Sequence, residues 1–539
     1  MKIVLPEVRP EERTPLVESL LAIIRQLLDG VQQLEATVQR LRDENALLKG
    51  QKPRPQIRPS QLETPTATPT PQDGQRPGSA KRAKNRQLII AQDVRVYADH
   101  LPAGAVLKDY EPYVVQELSI AAQATRYLRA RYELPDGGSV LAPLPPDVLP
   151  GSHYGPNLIC YILNQHHHAH VTQPLLLEQL HDYGIDISAG QLSRILTENQ
   201  ERFHQEKDEV QTAGLTTASS IGTDDTGARH RGRNGYCNVI GNELFACFAS
   251  TDTKSRLNFL QVLHGRERLY ALNEITLAYW ESQGLATAVV AQLRQGPHAF
   301  ADEATWQTRL AELAITSERH VRVATEGALL GGLIERGVSP QLVVLSDGAP
   351  QFDILLHASC WVHAERPLAR MVPHHDAHRA VIEQVRTQIW QLYQELKAYR
   401  AQPEDTQKPV LQERFVALCN QSTGYPNIDA VLKEMRDHQP DLLRVLERPE
   451  VPLHNNAMES AIREYVTKRK ISGGTRSDDG RRCRDTFASL KKTCRKLGVN
   501  FWSYLQDRIR GLGAVTRLAQ LIRQRAAAKP SVPVEPVPV

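Results

Sequence analysis

The 539-residue sequence predicts an α/β protein: a sheet-containing core interrupted by helical insertions and preceded by a dimeric coiled coil. Three observations predict it. A heptad repeat occupies the first fifty residues. Short β-like runs near residues 219–251 and 342–345 alternate with long helical stretches. A Pro-, Thr- and Gln-rich segment separates the repeat from the rest.

Val17, Ile24, Val31, Val38 and Asn45 recur every seven residues, and Leu20, Leu27, Leu34, Leu41 and Leu48 follow each by three. β-Branched residues at a with Leu at d favour parallel two-stranded coils, and one polar Asn at a pins the register. Residues 1–50 are therefore expected to form a homodimer or seed a higher oligomer. Residues 51–86 bury too little to fold and read as a disordered linker. Residues 87–150 alternate β-like runs with Pro/Gly turns and predict a small sheet-containing domain. Residues 151–210 read as helical. There "PLLLEQLHDYGIDISAGQLSRILTEN" has the layout of a helix-turn-helix, with a turn at Gly184 and Ser188 capping the second helix. Such a pair can place its second helix in a DNA groove. The preceding "NQHHHAHVTQ" puts His166 and His170 on one helix face, but no carboxylate or Cys ligand lies nearby, so it reads as a polar face.

The formal charge is only +4, so any polyanion-binding surface must be local. Seven cysteines without a CxxC pair read as reduced thiols. No apolar run approaches the roughly 20 residues of a membrane helix, and the N-terminus has no signal-peptide core. A cytoplasmic protein with no membrane partner is expected.

From Ala218, "ASSIGTDD", "YCNVIGN" and "LFACFASTD" read as an antiparallel meander whose first strand ends at Asp224-Asp225. A strand at Leu342–Leu345 stops at Asp347-Gly348. A later helix is expected to start with Asn456 as N-cap and Glu459 in its first turn. Singly, these acids read as a turn, a turn dipeptide and a capping box. Together they are carboxylates on three rigid elements, the arrangement that holds two Mg²⁺ ions about 4 Å apart around a scissile phosphate. Between Ser460 and Lys496 twelve Lys/Arg face four acids, an excess that suits a polyanion.

These segments resemble the transposases of the insertion sequence 66 family, Asp-Asp-Glu recombinases. The matching motifs are "DDT" at Asp224-Asp225-Thr226, "LSDGAPQF" with "CWVHAER" (Asp347, Cys360, Trp361, His363), and Asn455-Asn456-x-x-Glu459-x-x-x-Arg463. "KRKISGGTRSDDG" and "KLGVNFWSYL" are similar to the family's ending, and the resemblance covers most of residues 145–510. It implies a ribonuclease H-like core in two parts, 215–365 and 454–510. A helical insertion falls at about 269–337, another at 366–453, and a C-terminal helix with a Pro/Val tail at 511–539. It implies that Asp224, Asp347 and Glu459 are the catalytic metal ligands for two Mg²⁺, or Mn²⁺ in their place. DNA contacts are assigned to Arg463, Lys468, Arg469, Lys470, Arg481 and Arg482. His363 reads as structural. Strand alternation turns Asp225 away from the metals, toward a partner such as Arg229. The implied activity is cleavage at transposon ends and strand transfer into target DNA, with small accessory proteins as further partners. The rival is a non-catalytic DNA-binding derivative. Three features depart from the family pattern: "YELPDGG" has no Cys, so no structural zinc is expected; the segment before Asp347 is long; and Asp225 stands where the family has Glu.

Overall fold

The computed structural model describes residues 90–528 apart from 146, 147 and 150. The expected coiled coil, the linker and the Pro/Val tail lie outside the described residues. Residues 90–113 belong to a separate unit and contain no helix or strand. In the second unit, the domain expected up to residue 150 contributes only a hairpin, Arg131–Glu133 with Ser139–Leu141. Its apolar side chains, such as Val140, remain exposed. A two-stranded ribbon alone buries too little to organise a core.

Helices α1 (Pro156–His167), α2 (Gln173–Asp182), α3 (Ala189–Thr197) and α4 (Glu201–Thr217) follow. Gly184, at φ +81°, makes the turn between α2 and α3. Ser188 caps α3 reciprocally with Gln191, as expected.

The central sheet comprises β1 (Ser220–His230), β2 (Arg233–Gly241), β3 (Ala246–Thr251), β4 (Val343–Ser346) and β5 (Leu356–Ser359). Its order is β3-β2-β1-β4-β5. The first three strands form the expected antiparallel meander; β4 runs parallel to β1, and β5 parallel to β4. Between β3 and β4 lie α5 (Arg256–His264) and α6 (Glu318–Glu335). The insertion is shorter than expected. Helices Glu274–Ser282, Thr287–Leu293 and Glu303–Glu312, with a two-residue ladder at Tyr270–Ala271, fill it. Residues 318–335 are instead the crossover returning the chain to β4. Every residue from Val323 to Leu333 is buried; most are small or apolar, and the Glu326 carboxylate among them accepts from Tyr279 at 2.7 Å and pairs with Arg322 at 3.6 Å. Gly332 lies so close to the Leu269 carbonyl that a Cβ has no room.

After β5 come α7 (Trp361–Arg370) and the expected helical insertion, whose main helices are Asp376–Ala401, Gln407–Asn420 and Pro426–Asp437. They have their own core around Ile389, Phe415 and Ile428. The chain then returns as α8 (Asn456–Ser472), α9 (Asp478–Lys496), α10 (Phe501–Arg510) and α11 (Leu518–Ala527). On one sheet face Val239, Ala246 and Phe248 pack against Met458, Ala461 and Tyr465 of α8. On the other, Ile221 and Ile240 join the cluster of α4, α5 and α6. Edge strand β3 is covered by α9. Asp485, Ser489 and Thr493, one turn apart on one face, accept from the N–H groups of Ser250 (2.8 Å), Phe248 (2.8 Å) and Ala246 (3.2 Å). Those edge donors would otherwise be free to pair with another chain.

Candidate active site

Three expected acids lie on β1, just past β4 and on α8. The first corrects the sequence reading. β1 does not end at Asp224-Asp225 but continues to His230, because β2 stays in register to the pair His230↔Arg233. Extended alternation then sends the two aspartates to opposite faces. Asp225 is ion-paired with Lys254 and accepts from Gln351 Nε2 at 3.2 Å. The expected pairing with Arg229 is not formed. Four residues along a strand span about 13 Å, and Arg229 donates instead to the Gly232 carbonyl at 2.9 Å.

Asp224 lies on the face covered by α8. The β1–β4 ladder ends at the pair Gly222↔Leu345, two residues short of Asp224 on β1 and of Asp347 in the turn past β4, and the Asp347 charge acts on the Asp224 carboxyl. One Asp224 oxygen accepts from the Asp225 N–H at 2.8 Å. Burial, opposed by that hydrogen bond and reinforced by the charges of Asp347, Asp225 and Glu459, pushes the Asp224 carboxyl up to about 6.

Asp347 is held from behind. Its Oδ1 accepts from Ala349 N at 3.2 Å, in a turn that Gly348 makes at φ +91°. The preceding Ser346 is fully buried; its Oγ meets His357 Nε2 at 2.8 Å, and His357 Nδ1 meets Asp441 at 3.0 Å. The sequence reading missed this Ser–His–Asp relay. Because Ser346 is shut away from solvent, the relay is a strut from the helical insertion to the end of β4.

Glu459 does not close a capping box. Asn455 is the residue at the cap, and its side chain makes no cap bond. Instead Asn455 Nδ2 donates to the Thr223 carbonyl at 2.6 Å, pinning α8 to β1 one residue before Asp224. A Cβ on Gly222 would collide with the Asn455 amide and approach Met458 Cγ to 2.9 Å. Glycine at 222 is thus what lets α8 lie this close. The Glu459 carboxylate lies 3.4 Å from Arg366 and 3.6 Å from His363, both on α7. His363 is therefore beside a site acid, not remote from it. Burial and the Arg366 charge hold its pKa below the ordinary imidazole value, opposed by Glu459 and Asp347. Among the described residues no group of three or more His, Cys, Asp and Glu side chains is drawn together closely enough to hold a metal ion. The charges of Asp347 and Glu459 both act on Asp224, while Glu459 itself is paired with Arg366 and lies beside His363.

The six basic residues assigned to DNA divide. Arg463 and Lys470 are exposed. Arg469 donates to Thr226 Oγ1 at 3.2 Å, beside Asp224. Arg481 pairs with Asp252 at 2.9 Å, and Arg482 grips Glu201 through two hydrogen bonds. Lys468 is a correction: it is buried, donates to the His166 carbonyl at 3.2 Å and faces His167 Nδ1, so it cannot reach a phosphate. The histidine run is spent internally. His166 Nδ1 meets the Val171 carbonyl at 2.9 Å, and His167 stacks on Phe487.

A family model described as "Transposase IS66 family" matches residues 345–482, a span that takes in Asp347 and Glu459 and begins after Asp224. A protein of Sinorhizobium fredii (strain NBRC 101917 / NGR234), described as uncharacterized protein y4jO, is 40% identical over 319 residues. The match covers 58% of this chain and 99% of that protein. No helix among the described residues is long and apolar enough to cross a membrane.

Proposed function

The chain belongs to the IS66 family of transposases, and from that premise we propose that it cuts DNA at transposon ends and transfers the strand into target DNA. Asp224, Asp347 and Glu459 would be the ligands of two Mg²⁺ ions, or of Mn²⁺. The observation that carries this reading is an Asp224 carboxyl, just past the end of the parallel β1–β4 ladder, pushed up to about 6 by burial and by the charges of Asp347, Asp225 and Glu459. A carboxylate crowded by burial and neighbouring acids is one that a divalent cation relieves. The oxygen-only donor set fits Mg²⁺, which takes hard ligands and keeps waters beside one or two carboxylates. The sheet order and the parallel β1–β4 pair support reading the core as ribonuclease H-like.

Bound ions would supply an activated attacking hydroxyl and charge stabilisation for the leaving 3′ oxygen. The chain's own residues set up the rest. Asp224 and Asp347 present oxygens from two neighbouring strands, and the Ser346–His357–Asp441 strut keeps the second in place. The Asn455 clamp fixes the register of α8, and with it the position of Glu459. Arg366, turned from Glu459 toward a nonbridging phosphate oxygen, would orient the substrate, and His363 would hold Glu459. The α2–α3 pair would recognise element ends, and the coiled coil would join two protomers so that two ends are processed together. Small accessory proteins of the element would be further partners.

A second reading, a DNA-binding derivative without catalysis, draws on the absence of a gathered three-ligand cluster among the described residues. One experiment separates them. Duplex DNA carrying the element's ends is incubated with Mg²⁺ and the wild type, Asp347→Asn or Glu459→Gln. The catalytic reading expects wild-type nicking, lost in both variants while DNA binding survives. No nicking by the wild type despite tight binding would favour the derivative.

A further inference from the structure

We propose that the cavity beneath the tip of the β1–β2 hairpin seats the phosphodiester backbone of the DNA strand running on from the cleavage site. The proposal rests on the transposase reading and adds a place for the strand. The cavity measures about 490 Å³, within the roughly 300–1,000 Å³ of small-molecule sites and large enough for a nucleotide. The cross-strand pair Ala228↔Gly235 lines it. A Cβ at Gly235 would approach the Thr251 carbonyl to 2.9 Å, so a side chain there would crowd the neighbouring backbone. The far wall is tied down. The Arg231 N–H donates to the Thr475 carbonyl at 2.8 Å, the Thr475 N–H to the Arg229 carbonyl at 3.0 Å, and His230 Nδ1 meets Thr475 Oγ1 at 2.8 Å. The hollow is therefore built from fixed backbone.

Its charge points to an anion. Arg229, Arg231, Arg233 and Arg481 line it against Asp252 and Asp478, four positive charges to two negative. Asp478 takes up Arg231 at 2.7 Å and Asp252 takes up Arg481 at 2.9 Å. Arg229 and Arg233 have no carboxylate partner among the described residues, and Arg233 is exposed. Guanidinium groups left without an acid at the rim of a nucleotide-sized hollow suit phosphate oxygens.

Its position points to DNA and not to a free phosphate. Ala228 lies on β1 four residues beyond Asp224 and on the same face, about 13 Å away. Arg469 fills the interval through its bond to Thr226. That distance is about four nucleotides at the ~3.4 Å rise of a B-form strand. Asp224, Arg469 and Arg233, which pairs across the ladder with His230, thus follow one sheet face, while Arg229 alternates to the face of Asp225.

The test is fluorescence anisotropy of a short fluorescein-labelled duplex with the full-length protein in EDTA, from about 50 to 200 mM NaCl. Arg233→Ala should weaken binding several-fold and reduce the slope of log K against log salt by about 1. Arg233→Lys should keep the slope. Arg379→Ala, which removes an exposed arginine of the helical insertion, should leave it unchanged. Inorganic phosphate at the same ionic strength should not compete; competition would assign the cavity to a free anion and overturn the proposal. So would an Arg233→Ala variant that binds like the wild type, or an Arg379→Ala loss as large as that of Arg233→Ala. Wild-type nicking with unaltered Arg233→Ala binding removes this inference alone. Arg233-dependent binding without metal-dependent nicking removes the catalytic reading alone.

Discussion

Replacing Asp224 with Asn should stabilise the protein while abolishing its reaction. The Asp224 carboxyl is pushed from 3.8 to about 6 by burial and by Asp347, Asp225 and Glu459. That difference of 2.2 is worth about 3 kcal/mol at 1.36 kcal/mol per pK unit. Asp224 keeps partial contact with solvent, so screening lowers the figure to about 1–2 kcal/mol. The folded form holds the proton more tightly than the unfolded chain, so wild-type stability declines as pH rises from about 4 to about 6. Asparagine keeps the shape and carries no charge. The Asp224→Asn transition should lie on the order of 2 °C above wild type at pH 7.5, and the gap should close below about pH 4. Intrinsic tryptophan fluorescence on heating, at both pH values and with and without Mg²⁺, reads it. Mg²⁺ should raise the wild-type midpoint and leave the variant unmoved. A variant less stable than wild type at pH 7.5, or a gap independent of pH, would refute the electrostatic reasoning.

Gly222→Ala should push α8 off β1, because its methyl group would meet Asn455 and Met458. The expected cost is about 1–3 kcal/mol of overpacking, read as a lower urea midpoint, together with lost nicking. Arg366→Gln should free Glu459 from its 3.4 Å partner and tighten Mn²⁺ binding several-fold in calorimetry without DNA, whereas Glu459→Gln weakens it; unchanged affinity in Arg366→Gln would show that the arginine does not compete with the ion. Lys468→Met should leave DNA affinity intact, in contrast to Lys470→Ala. Burial, Arg484 and Lys491 hold the Lys468 ammonium well below its ordinary pKa, a penalty present below the folded pKa and gone above the unfolded one near 10.5. The Met variant should therefore melt no lower than wild type at pH 7 and lose any advantage in strong alkali.

What was legible in the sequence follows from which pattern was read. The meander, the strand before Asp347 and the helix carrying Glu459 are marked by β-branched runs and turn residues, and all are present. The end of β1 was misplaced because Asp-Asp-Thr-Gly has poor strand propensity, a preference that pairing overrides; β2 carries the ladder six residues past Asp224. Lys468 was misassigned by counting charge without phase. Met458, Ala461 and Tyr465 mark the buried stripe of α8, and one more step of three reaches Lys468, so helical periodicity alone placed it inside. Contacts between distant segments left no local trace. Lys254 with Asp225, Arg366 with Glu459 and Asp441 with His357 span 29 to 93 residues of chain. The basic surface illustrates both effects. Charge density pointed to residues 460–496, where Arg481 and Arg482 are bound to Asp252 and Glu201. Two further arginines without an acid partner among the described residues, Arg229 and Arg233, lie in "GARHRGRNG", the end of β1 and the hairpin that follow the two aspartates. Once β1 is seen to continue through Asp224, the cations that follow it lie along the strand that carries a site acid. Their place is then the track a substrate strand would follow.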